Sequence, residues 1–172
     1  MVEPSKFRQA ISMFATGVTV ITTRGPDGPT GMTASAVCSL SLEPVQLLVC
    51  ISNRLPTHKV MSETGRFCVN VLGESQAGLA RHFATPQEDK FAGVEVRDEE
   101  GMPVLSAAIA TFVCELSERF PGGDHTIFIG RVVKLDHLAE ARPLLYYASG
   151  FGRLSSREDS LLQHWMERGA QP

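Results

Sequence analysis

Apolar and polar positions alternate with two different periods along this chain. Near the start, Phe7, Ile11 and Phe14 recur at helical spacing, so residues 5–14 are predicted to form a short amphipathic helix with Ser5 as its cap. VTVITT, at 18–23, is β-branched throughout and runs into the turn signal GPDGP, which together predict a hairpin. VQLLVCIS, at 45–52, is a continuous apolar run of strand length and reads as buried on both faces. A short helix is expected over SNRLPTHKVMSETG, with a proline in its first turn and a glycine just past its end. RFCVNVLG then reads as a strand and ESQAGLARHFA as a helix. TPQEDKFAGVEVRDEEGMP reads as an irregular charged connection. AIATFVCELSERF and HTIFIGRVVKLDHL are two long strand patterns joined by PGGD, a second hairpin. Toward the end, Leu161, Leu162, Trp165 and Met166 share one face of a further predicted helix.

Six or seven strands, mostly hairpin-linked, with three or four short helices, predict a mainly β fold: a β-barrel with peripheral α-helices. Strands and helices do not alternate as a doubly wound sheet requires. The 172 residues suit one domain spanning 1–172, with no internal repeat or linker. A net charge of −3 with scattered Lys and Arg argues against nucleic acid or a polybasic membrane patch. No apolar run approaches the roughly 18 residues of a spanning helix, and MVEPSKFRQA is not a secretory signal, so a cytoplasmic protein is expected. The cysteines at 38, 50, 68 and 114 form no CxxC pair and read as small buried hydrophobes; no metal site is expected.

Three stretches carry candidate chemistry. GMTASAVCSLSLEP, at 31–44, spends fourteen residues on little bulk and many hydroxyls. Small residues let a planar ligand approach the backbone, although a wide loop of Ser/Thr turns gives the same pattern. SNRLPTHK, at 52–59, ends a strand and starts a helix, and its free N–H groups beside hydroxyl and basic side chains suit a phosphate; an ordinary capped surface helix is the alternative. PGGDHTIFIG, at 121–130, delivers His125 at the start of a strand, either at a pocket mouth or simply in solvent. Neither a GxSxG elbow nor a GxGxxG fingerprint is present, so a nucleotide cofactor would be held by some other architecture.

FATGVTVITT, GMTASAVCSLSLEP, GRFCVNVL, HFATPQEDKFAGV, GDHTIFIGRV and PLLYYASGFGRL occur in this order over about 7–154. Together they resemble the flavin reductase family with the FMN-binding split-barrel fold, and in particular the reductase components of two-component flavin-dependent monooxygenases. The tail at 155–172 is not covered. The resemblance implies a homodimeric split barrel that uses NADH or NADPH to reduce FMN or FAD, an oxidoreductase of the EC 1.5.1 type. In many such proteins the reduced flavin then leaves for a separate oxygenase. An FMN-binding electron carrier that does not use a nicotinamide directly, and a non-catalytic ligand-binding barrel, are the competing readings.

Carried over by position, the family pattern sets the flavin ring against Thr33, Ala34, Ser35, Cys38 and Ser39. The ribityl chain and phosphate fall to Ser52, Asn53, Arg54, Thr57 and His58, with Lys90 and Phe91 near the phosphates or an adenine. His125, Phe151 and Gly152 are implied to line the nicotinamide face, with His125 orienting the nicotinamide or its pyrophosphate. This chain departs from the pattern at Ala36, Val37 and Cys38, where relatives often carry a serine, an aromatic and a threonine. It also departs at Ala148 and Ser149, where a basic–glycine pair is usual, and at Phe151, often a tyrosine.

Overall fold

The computed structural model describes residues 2–154. The helix expected around Trp165 lies outside the described residues. In chain order the elements are α1 (Pro4–Ile11), β1 (Thr16–Gly17), β2 (Thr19–Gly25), β3 (Gly28–Ala34), β4 (Val37–Leu42), β5 (Val45–Ser52), α2 (Pro56–Thr64) and β6 (Arg66–Val71). They continue with α3 (Ala77–Ala84), β7 (Val96–Glu99), β8 (Met102–Leu105), β9 (Ala110–Gly122), β10 (His125–His137), β11 (Leu145–Tyr147) and β12 (Gly150–Gly152).

Seven strands form the principal sheet, in the order β3-β2-β6-β9-β10-β5-β4, with every pairing antiparallel. Strands lie about 4.8 Å apart, so a flat sheet of this width would set its edges about 29 Å apart. Yet β3 and β4, the two edges, are joined by only Ser35 and Ala36, a link that reaches about 11 Å when fully extended. The sheet must therefore curl until its edges nearly meet. Since β3 and β4 do not pair with each other, the barrel is split along that seam.

Inside the curl, Ile21, Val49, Ile51, Phe67, Val69 and Phe128 form the main core. A second cluster, including Val20, Leu72, Phe83, Leu105 and Leu144, lies beneath α3. Deep burial pushes the Cys68 thiol up to about 12 and raises that of Cys114 as well.

The structure corrects several expectations. β5 is buried on one face only: Leu47, Val49 and Ile51 point inward, whereas Leu48 and Cys50 are half-buried on the outer face. The continuous apolar run arises because that outer face lines an apolar groove. Cys38 is exposed, so the four cysteines do not share one environment. The charged stretch after α3 contains the β7–β8 hairpin, because Met102, Val104 and Leu105 are buried and anchor it. Stretch 31–44 is not a loop but the end of β3 and all of β4. Neither Ser5 nor Ser52 or Asn53 caps a helix: the N-cap positions are Glu3 and Leu55, each followed by a proline that needs no N–H partner.

Candidate functional site

The open edge of β3 is flanked by two cavities. The first, about 350 Å³, lies over the C-terminal end of the strand, where Thr33, Ala34 and Ser35 face Arg81 and Ala84 of α3. Tyr146, Ser149 and Phe151 of the β11–β12 hairpin close its other side. The Tyr146 and Phe151 rings meet edge to face with centroids 5.6 Å apart, and the Arg81 guanidinium lies 5.0 Å from the centre of Phe151. Thr33 donates its hydroxyl proton to the Ala80 carbonyl at 2.6 Å, which leaves its oxygen free to accept. The tight turn of the hairpin holds Ala148 and Ser149 at φ 48° and 63°, a left-handed conformation that disfavours side chains and projects Ser149 into the cavity.

The second cavity, about 210 Å³, adjoins the N-terminal half of β3. Thr30, the first turn of α2 with Thr57, and Gln87 to Lys90 surround it. The Thr30 and Thr57 hydroxyls are 3.4 Å apart, and Thr57 is buried. Lys90 donates to the Phe83 carbonyl at 2.7 Å, and its partial burial lowers the pKa of its amine. Gly31 lies between the two cavities because Phe83 packs beneath it: a Cβ there would be 3.0 Å from the Phe83 ring and from the Ile21 carbonyl.

Other residues implied by the resemblance lie elsewhere. His58 follows Thr57 directly, but the helical turn of about 100° per residue sends it away from the Thr57 cavity. Its Nε2 is 2.9 Å from the Thr126 hydroxyl, which donates to Asn53 Oδ1 at 2.8 Å. One hydroxyl carries one proton, so His58 must be the donor to Thr126, which fixes its proton on Nε2. His58 instead lines a third cavity of about 270 Å³ with Ser62, Arg119 and Phe120. Ser52 pairs with His125 across β5 and β10, and the Asn53 N–H donates to the Asp124 carbonyl at 3.0 Å. The β9–β10 hairpin tip is thereby tied to the entrance of α2. His125 Nδ1 is 2.7 Å from Asp124 Oδ1, and this bond and the imidazole's charge lower the carboxyl pKa of Asp124. Arg54 is exposed nearby.

Cys38 lines a fourth, mainly apolar groove of about 620 Å³ with Ile11, Phe14, Val37, Leu48 and Cys50. Ser39 is exposed on the edge strand β4, and Gly152 is half-buried in β12. Phe91 packs edge to face on Phe83, 5.3 Å between centroids, and belongs to the second core cluster. Arg81, Tyr146 and Thr30 were not singled out from the sequence. The aromatic pair in LLYY and the arginine of LARHF were visible in it, but nothing local shows that they converge. Among the described residues, no group of three or more His, Cys, Asp or Glu could hold a metal ion.

A flavin fits the two cavities along β3 by their chemistry. The unpaired strand edge and Thr33 offer acceptors and donors for a heterocycle, and aromatic faces line the first cavity; hydroxyls and the Lys90 amine line the second, together with the carboxylates of Glu88 and Asp89, the latter held by the Phe91 N–H. Residues 11–155 match the family described as the flavin reductase like domain. The reductase component of a 4-nitrophenol 4-monooxygenase/4-nitrocatechol 2-monooxygenase from Rhodococcus opacus is 40% identical over 150 residues, covering 87% of this chain and 80% of that protein. A flavin reductase (NADH) from Kitasatospora aureofaciens is 40% identical over 92% of this chain and 86% of its own length. In structure, the chain is similar to an NADH:FAD oxidoreductase from Streptomyces globisporus solved with NAD and FAD fragments. There the TM-score is 0.87 at 34% identity, over 92% of this chain and 99% of that one.

Proposed function

The chain belongs to the flavin reductase-like family, and from that premise we propose that it is an NAD(P)H:flavin oxidoreductase supplying reduced FMN or FAD to a separate monooxygenase component. One observation carries this reading: a ring-sized, partly aromatic cavity and a polar cavity lined by Thr30, Thr57, Lys90 and the carboxylates of Glu88 and Asp89 lie along one unpaired strand edge.

When bound, the flavin supplies the two-electron chemistry with the nicotinamide. The protein's own work is binding and orientation. Thr33 accepts a hydrogen bond from the ring edge, and the strand backbone adds donors. Thr30, Thr57 and Lys90 would hold the phosphate at the start of α2, where the helix dipole favours an anion. Tyr146 and Phe151 exclude water and give the second ring a stacking surface. Holding two rings in contact contributes several kcal/mol through positioning alone. Among the described residues, no carboxylate or imidazole lines the first cavity, in keeping with a transfer that needs no protein acid or base.

His125 belongs to the phosphate end of the dinucleotide. Its hairpin is tied to the α2 entrance, and its bond to Asp124 engages Nδ1 and leaves Nε2 as the nitrogen that can meet a ligand. A second copy of the chain is the proposed cover for α1, none of whose residues is buried, and for the groove beside Cys38. The direct test mixes purified protein, NADH or NADPH and free FMN or FAD, and follows the nicotinamide absorbance. Rapid oxidation that requires both added flavin and protein supports the reading. Tight FMN binding without nicotinamide oxidation would instead identify an electron carrier.

A further inference from the structure

Arg81 is, among the described residues, the single charged side chain lining the ring-sized cavity, and its guanidinium lies over the face of Phe151. Among the described residues, no carboxylate comes within salt-bridge distance of it. The rest of the lining is hydroxyl, methyl and aromatic. An exposed cation resting on an aromatic ring at the mouth of the cavity, with no carboxylate beside it among the described residues, is placed to respond to the charge of whatever enters.

We propose that Arg81 is a charge-selecting residue that favours reduced over oxidised flavin and weakens the hold on the oxidised nicotinamide. This rests on the flavin reductase reading. In the overall reaction the C4–H bond of the dihydronicotinamide breaks, and its electron pair and hydrogen pass to flavin N5. The nicotinamide becomes a pyridinium cation and the flavin an anion, so two neutral rings become an oppositely charged pair. A fixed positive charge beside them stabilises the anionic ring and repels the cationic one. Arg81 therefore pulls the equilibrium toward reduced flavin and promotes departure of the spent nicotinamide. It acts by binding and charge, with no proton transferred.

The test compares wild type, Arg81→Gln and Arg81→Lys by anaerobic titration with oxidised and with dithionite-reduced FMN, and by NAD⁺ inhibition. Arg81→Gln is expected to lose about tenfold in affinity for reduced FMN and less than twofold for oxidised FMN, as for one charge-assisted contact. That five- to tenfold ratio corresponds to a fall of about 20–30 mV in the two-electron potential of the bound flavin. Inhibition by NAD⁺ should strengthen severalfold, and Arg81→Lys should recover most of the preference for reduced flavin. Equal weakening of both redox forms would mean that Arg81 merely supports Phe151, and no change in either would remove it from the site; both outcomes overturn the inference and leave the reductase reading standing. Failure of the wild type to bind either form of flavin would overturn the reading itself, and this inference with it.

Discussion

Lys90 illustrates how one side chain can be half-used by the fold and still serve a ligand. One of its three donors is committed to the Phe83 carbonyl, and burial disfavours its charge. A phosphate in the adjoining cavity would offset that penalty by direct pairing. Lys90→Met is therefore expected to weaken FMN binding about tenfold or more, in line with a hydrogen bond to a charged group. Riboflavin, which lacks the phosphate, should bind Lys90→Met and wild type alike; fluorescence titration of both ligands checks this. His125→Ala is expected to raise the KM for the nicotinamide severalfold with flavin affinity unchanged, as read from steady-state kinetics and flavin titration. The sequence alone could not separate Thr57 from His58, since both are polar neighbours after a proline. The turn of α2 decides that Thr57 meets Thr30 whereas His58 meets Thr126.

Element by element, what was legible followed from periodicity and turn chemistry. The β2–β3 hairpin and the long β9–β10 pair correspond to GPDGP and PGGD, α1 to its apolar stripe, and α2 to the proline and glycine that bound it. β4 was illegible because Ser39 and Ser41 carry no apolar signal on an edge exposed along most of its length. β7 and β8 were hidden because β7 carries three charges, of which Arg97 and Glu99 are half-buried in ion pairs with Asp136 and Lys134, while the buried β8 anchors the hairpin. Glycines add a test at this scale. Gly130 follows an irregularity in β10, and a Cβ there would lie 2.5 Å from Phe67 Cζ and 2.8 Å from Cys114 Cβ. Gly130→Ala is expected to cost about 1–3 kcal/mol through overpacking. Gly78, inside α3 with nothing within 4 Å of its would-be Cβ, should gain up to about 1 kcal/mol on change to Ala. Urea denaturation midpoints of the two variants should therefore move in opposite directions.

For the molecule as a whole, the distribution of apolar surface matters most. Phe7 is 60% exposed, Phe14 70% and Leu42 85%. Of these, Phe14 lines the groove beside Cys38 together with Ile11, apolar surface that a second copy of the chain would cover. The helical stripe of Phe7, Ile11 and Phe14 was legible in the sequence, but its position on the outside of the barrel was not, because periodicity does not tell a core-facing stripe from a partner-facing one. Light scattering should give twice the chain mass for wild type, and Phe14→Asp should shift it toward the monomer. No helix among the described residues is long and apolar enough to cross a membrane.

The account stands on the flavin lying along β3, and a crystal structure with bound FMN tests that most directly. It predicts ring density against Thr33, Ala34 and Ser35 beneath Arg81 and Phe151, with the phosphate beside Thr30, Thr57 and Lys90. Flavin density in the cavity of His58 and Arg119 instead, with the β3 edge vacant, would contradict it.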